Sequence, residues 1–289
     1  MIGDPGEGRR VDVGDTRLWV LEKGEGYPLL LLHGGPGLDH TQFRPWMDPL
    51  AERFHLIYVD QRSQGRSDPA EERTWTLHHM AADVTALATG LGLDRYAVLG
   101  HSFGSFVALQ HAVSHRTASH YVLIGCVPGT RWLDRIDRNL AALEPAEVRR
   151  RVAASWDRET TVRTIDECRQ LMIDQLPFHF ADPEGAAYRD FVDAASRHMR
   201  FSPDVVRTFA VEGDEIEVED HLNEVDVPVL VIAAEFDRVT ASEGGWSIAE
   251  AVPHGECVLL KDAGHMMFVE QPDAVRRAIG AFFDRFPPD

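Results

Sequence analysis

The segment AVLGHSFGSFVAL, residues 97–109, sets Ser102 between Gly100 and Gly104, directly after an apolar run and directly before a helix-like one. An alcohol is a poor nucleophile at neutral pH. A reactive serine must therefore be exposed at a sharp bend and reach a base that takes its proton. Glycines two residues to either side let neighbouring backbones approach and let the serine adopt a strained conformation. A plain glycine-rich turn capped by Ser102 would look the same, so the partners decide. The base is expected late in the chain, with an orienting carboxylate between serine and base in sequence. His265, in KDAGHMMFVE, follows the apolar run ECVLLK, and Asp237 ends VPVLVIAAEFD. Glu235 is the rival acid, but the terminal Asp237 is preferred. Together these residues would run acyl transfer: Ser102 attacks, His265 moves the proton and Asp237 orients the imidazole.

The oxyanion of such a reaction needs two N–H donors. Phe103, opening the helix after the serine, supplies one. The run LLLLHGGPG, residues 29–37, ends in glycines before Pro36, which has no N–H to give. Gly35 is the expected second donor, with Gly34 in reserve, and His33 is expected to brace the loop.

All of these groups must reach one rim. Short runs such as YPLLLLHGG, FHLIYVDQR, YAVLGHS and HYVLIGCVPG alternate with helical periods. Such near-continuous apolar runs suit strands covered on both faces, and the alternation predicts a mostly parallel α/β sheet. Met80, Val84, Leu87 and Leu91 recur at helical spacing, and QPDAVRRAIGAFFDRF predicts a closing amphipathic helix. The alternation fails in the middle of the chain. There Val148, Val152 and Trp156 share one helical face, as do Ile165, Cys168, Met172 and Leu176. The expected organisation is a core over 1–127, a helical lid over 128–222 and the rest of the core over 223–289. The few residues before Arg9 are expected to be loose.

Composition narrows the partners. The 289 residues carry a formal net charge of -18, which repels phosphate backbones and anionic lipids. A small-molecule or short-peptide substrate is expected, with no nucleic acid and no membrane. Three widely spaced cysteines without a CxxC pair suggest neither disulfides nor zinc, and no apolar run approaches a membrane span. A cytoplasmic setting is expected. His111 and His115, four apart, lack the glutamate of an HExxH motif and are expected on a helix surface. No metal and no cofactor is implied, since neither a P-loop nor a dinucleotide fingerprint occurs. Oligomeric state is not legible.

HGGPG, VDQRSQGRSD and GHSFGS, followed by the Asp237 and AGH contexts, resemble the α/β-hydrolase superfamily, and within it the proline iminopeptidase branch. The resemblance implies an α/β-hydrolase fold: a mostly parallel eight-stranded sheet flanked by helices, with an inserted helical lid. It also implies that the loop from Asp60 to Ser67 is architectural, with Asp60 and Arg62 bracing backbone. The branch commonly has Trp after the nucleophile and Gly before it, where this chain has Phe103 and His101. It recognises a free amine with carboxylates, whereas here Arg238 follows Asp237 and would repel an ammonium at short range. Glu212 and Glu215, in VEGDEIEVED, could supply the carboxylates, although a solvated acidic face is the plainer account. Met266 could line the pocket. The expected function is a serine hydrolase releasing an N-terminal proline or small residue through an acyl-enzyme. A carboxylesterase or lactonase with the same triad is the first alternative, and a non-catalytic ligand-binding protein of the same fold is the second. Epoxide hydrolase and haloalkane dehalogenase readings are disfavoured, because those relatives use Asp where this chain has Ser102.

Overall fold

The computed structural model describes residues 8–213 and 216–288, and of Glu212 only the backbone. Eight strands form one sheet: β1 (Arg9–Asp12), β2 (Arg17–Lys23), β3 (Tyr27–Leu32), β4 (Phe54–Asp60), β5 (Ala97–His101), β6 (His120–Ile124), β7 (Val229–Ala234) and β8 (Gly255–Leu260). Their spatial order is β1-β2-β4-β3-β5-β6-β7-β8. The pairs β1–β2 and β2–β4 are antiparallel, and every later pairing is parallel. The first strand carries only one inward apolar residue, Val11, and so shows no apolar run. Of the residues before Arg9 expected to be loose, 1–7 lie outside the described residues.

Helices follow as α1 (Leu77–Leu91), α2 (Phe103–Ser114), α3 (Ile136–Ala141), α4 (Ala146–Trp156), α5 (Ile165–Gln175), α6 (Ala186–His198), α7 (Pro203–Glu212), α8 (Ser242–Ala251), α9 (Met267–Glu270) and α10 (Pro272–Arg285). Side chains of a strand alternate between faces, so each central strand feeds two cores. Leu29, Leu31, Leu99 and Ile124 face α10, whose Val275, Ile279 and Phe283 are buried against them. Leu30, Leu32, Val98 and Leu123 pack on the opposite side with α1, α2 and α8. No helix among the described residues is long and apolar enough to cross a membrane.

Among the described residues, five α-helices, α3 to α7, occupy the chain between β6 and β7. Cys168, Met172 and Leu176 of the predicted α5 face are buried, but Ile165 at its start is 51% exposed. The insertion leaves and returns at one neck. Gly129 bridges Glu217 antiparallel to it, Val218 N–H donates to the Pro128 carbonyl at 3.0 Å, and Glu217 accepts the Thr130 N–H at 3.0 Å. Part of the acidic stretch is thus spent closing this neck.

His111 corrects an expectation. It is fully buried, bonded through Nδ1 to the Tyr121 hydroxyl at 2.7 Å, and burial lowers its pKa to about 3. Its helix face packs against β6 and α1 rather than facing water.

Candidate active site

The carboxyl ends of β3, β5, β7 and β8 each lead into a loop that carries part of the site. Neighbours of β3 lie to either side of it, β4 and β5, so its loop opens at a topological switch point, where open α/β sheets bind ligands.

Ser102 stands between β5 and α2 with φ 51° and ψ −122°, a costly conformation for a residue with a Cβ. Its N–H donates to the Ile124 carbonyl at 2.9 Å, and its carbonyl accepts from Ser105 N–H at 2.8 Å. The flanking glycines are required by close approach. A Cβ on Gly100 would lie 2.2 Å from the Gly104 carbonyl oxygen, and one on Gly104 would lie 2.1 Å from that of Leu32. The side chain is thereby turned out of the sheet edge.

Asp237 lies three residues beyond the end of β7. Its Oδ1 accepts the N–H groups of Val239 at 2.9 Å and Thr240 at 2.8 Å, and its Oδ2 accepts the Thr240 hydroxyl at 2.7 Å. His265, five residues after β8, donates Nδ1–H to the same Oδ2 at 2.8 Å. Both side chains are buried. Burial alone would raise the Asp237 pKa, but the adjacent imidazole and the converging donors outweigh it and hold the carboxyl below its usual value. Glu235 is turned away, accepting the Asp262 N–H at 3.2 Å.

Ser102 and His265 line one cavity. Among the described residues the Ser102 hydroxyl makes no hydrogen bond; in serine enzymes the nucleophile–base bond often forms only once substrate binds. The N–H groups of Phe103 and Gly35 have no acceptor among the described residues either. Gly34, the reserve donor, is corrected: its N–H is taken by the Gln42 side-chain oxygen at 2.6 Å. A second glutamine, Gln64, accepts the Gly37 N–H at 2.6 Å. Two buried amides therefore shape the loop and leave the Gly35 N–H open. His33 braces the same loop, with Nε2 accepting the Gln61 N–H at 3.2 Å.

The cavity measures about 240 Å³, below the usual range for drug-sized ligands. Its walls are apolar, with Leu171, Met172, Phe191, Phe201, Phe209 and Met266 among them. Besides Ser102 and His265, its polar groups are Gln42 and His101 from the sheet domain and, from the insertion, Glu159, Gln175 and His179. Burial raises the Glu159 pKa, and Gln175 Nε2 donates to its carboxylate. Burial likewise lowers His179 to about 4. No spacing rule points to these three, because helices of an insertion carry no fixed register to the sheet. Of the carboxylates expected from the sequence, Glu215 and the Glu212 side chain lie outside the described residues.

Arg238 does not face the cavity as a free cation. Its guanidinium donates to the Phe180 carbonyl at 2.5 Å and the Ala181 carbonyl at 3.4 Å, which fixes the chain after α5. The Asp60 loop braces as expected, with Asp60 accepting the His40 and Arg66 N–H groups, each at 2.8 Å. Arg62, expected to brace backbone, instead forms an ion pair with Asp83 of α1 at 2.5 Å. Asp39, His40 and Asp60 bring ligand-type atoms within 4.8 Å of one another. Arg66 already pairs with Asp39 there at 2.5 Å, so a metal ion would have to displace a cation.

A family profile described as alpha/beta hydrolase fold matches residues 27–272. The chain is 29% identical over 276 residues to a proline iminopeptidase of Xylella fastidiosa, covering 85% of each chain. Among solved structures it is similar to a thermophilic esterase from Thermogutta terrifontis, with TM-score 0.76, 22% identity, and coverage of 97% of this chain and 99% of that one. A proline iminopeptidase of Mycobacterium smegmatis is similar at TM-score 0.74 and 23% identity, with coverage of 96% and 98%.

Proposed function

The chain belongs to the alpha/beta hydrolase fold family, and from that premise we propose that it is a serine hydrolase working through a Ser102–His265–Asp237 triad and an acyl-enzyme. The buried Asp237–His265 hydrogen bond, opening on the cavity that Ser102 lines, carries this reading. Asp237 keeps the imidazole proton on Nδ1 and leaves Nε2 bare. Nε2 takes the hydroxyl proton as Ser102 Oγ bonds to the acyl carbon, and the carbonyl oxygen becomes an oxyanion held by the N–H groups of Phe103 and Gly35. The proton passes from Nε2 to the leaving group as its bond to carbon breaks. Water then repeats the sequence, giving its proton to His265 and releasing the acid from Ser102. Residues 128–222 act as a lid that excludes other water and limits substrate length.

The preferred substrate is a short peptide or amide whose N-terminal proline or small residue forms the acyl group. Three observations support it: the small cavity, the Glu159 carboxylate in its lining as partner for a free amine, and the similarity to a proline iminopeptidase. The apolar walls favour a second reading, a carboxylesterase or lactonase on small acyl substrates.

Prolyl arylamide and short-acyl aryl esters, assayed side by side on wild type, Ser102→Ala and Glu159→Gln, separate the readings. A peptidase turns over the amide, loses it when the amino group is acylated, and shows a raised amide KM in Glu159→Gln with ester turnover unchanged. Ester turnover alone supports the second reading. Failure of a fluorophosphonate to label Ser102 would return the protein to the ligand-binding class.

A further inference from the structure

His101, the residue before the nucleophile, is not needed by the mechanism above, yet it lies against both the general base and the glycine loop. It ends β5 next to Ser102 and is 1% exposed. Its Nε2 lies 3.0 Å from the carbonyl oxygen of His265, the backbone of the general base itself. A carbonyl has no proton to give, so Nε2 carries the hydrogen and donates it. The ring lies against the His265 ring at 4.9 Å and edge-on to Phe268 at 4.8 Å. On its other side Nδ1 is buried without a partner and closes against the oxyanion loop, where a Cβ added to Gly34 would lie 2.9 Å from it. Burial holds the imidazole well below its usual pKa, so it stays neutral and adds no charge beside the base.

Resting on the triad reading, we propose that His101 is a positioning residue, whose Nε2–H bond to the His265 carbonyl locks the base in register with both Asp237 and Ser102. The base is carried on a loop rather than on a strand or helix, five residues beyond β8. No strand ladder holds it: the neighbouring Gly264 and Met266 N–H groups are taken by Glu270 and by the His179 carbonyl, and the carbonyl of His265 itself is taken by His101. The 3.0 Å bond ties the end of the strand that leads to Ser102 to the backbone of His265. A loop displacement of about 1 Å at such a site is enough to cost roughly 100-fold in rate.

The test compares His101→Gln, whose amide nitrogen can occupy the place of Nε2, with His101→Met, which is close in length and shape and lacks a donor. Thermal midpoints, kcat and KM are measured on whichever amide or ester the wild type hydrolyses, and the low-field proton NMR signal of the His265 Nδ1–H is recorded. In His101→Met, kcat falls about 10–100-fold with KM changed less than about threefold, and the Nδ1–H signal broadens through faster exchange with water. In His101→Gln both are retained. Should His101→Met not fold, His101→Asn, one methylene too short to reach the carbonyl, takes its place. Equal losses in the Gln and Met variants would reduce the residue to packing and overturn the inference, as would wild-type kcat and an unchanged signal in Met. If the wild type hydrolyses neither substrate class, the functional reading fails by itself, and the NMR comparison still decides whether His101 holds the base.

Discussion

Glu270 accepts the backbone N–H of Gly264 at 2.7 Å, and its second carboxylate oxygen accepts the N–H of Ala181 at 2.8 Å. One side chain thus ties the residue before His265 to the chain that leaves α5. In Glu270→Gln one of these N–H groups would face an NH2 and lose its acceptor. The variant should be less stable by about 1–3 kcal/mol, read as a lower urea midpoint with an unchanged m-value. A midpoint equal to that of wild type would mean that neither bond persists in solution.

Asp237→Asn keeps the shape of the side chain but presents an amide to the imidazole and favours the wrong tautomer. Turnover should drop by about 10⁴-fold while circular dichroism stays that of wild type. Retention of a tenth or more of the wild-type rate would remove Asp237 from the mechanism.

Gly104→Ala puts a methyl group against backbone rather than against a side chain that can swing aside. Helix α2 must shift outward, costing at least about 1–3 kcal/mol and carrying the Phe103 N–H with it. Fluorophosphonate labelling of Ser102 should slow in the folded fraction; an unchanged labelling rate would show that the elbow tolerates the shift.

Stability should fall on acidification through two buried histidines. The pKa of His111 is lowered from 6.5 to about 3 and that of His179 from 6.5 to about 4, in both cases chiefly by burial. As pH drops below 6.5 the unfolded chain binds these protons first. The stability that neutral burial permits is therefore intact above pH 6.5, declines towards pH 3 to 4, and levels off below. Each histidine contributes a slope of up to about 1.4 kcal/mol per pH unit. Urea midpoints of wild type and His111→Phe between neutral and mildly acid pH test this: the variant's dependence should be the shallower, and parallel curves would contradict it.

The sheet and the gathering of Ser102, Asp237 and His265 at one rim were legible because they rest on short-range rules. Leu29 to Leu32 must be covered on two faces, and Ser102 must sit at a turn that only flanking glycines permit. Asp237 and His265 follow from chain order once strands end where they do. What escaped has long-range causes. Gln42 owes its role to the one backbone N–H it meets, eight residues back on another element. Arg238 read as a threat to a cationic substrate because sequence shows its charge but not the carbonyls that absorb it. His111 read as a surface residue because a histidine on an amphipathic helix does not announce a tyrosine waiting on the next strand. Glu159 and His179 depend on how α4 to α6 lie over the sheet, which no local pattern encodes.

The single neck at Gly129 and Glu217 has an evolutionary corollary. Because both ends of the insertion stand side by side, its helices can be exchanged, lengthened or pared back without rethreading a single strand. Selection for a new diet could then act on the cap while Ser102 and His265 stay where they are, so divergence among descendants should concentrate above the sheet.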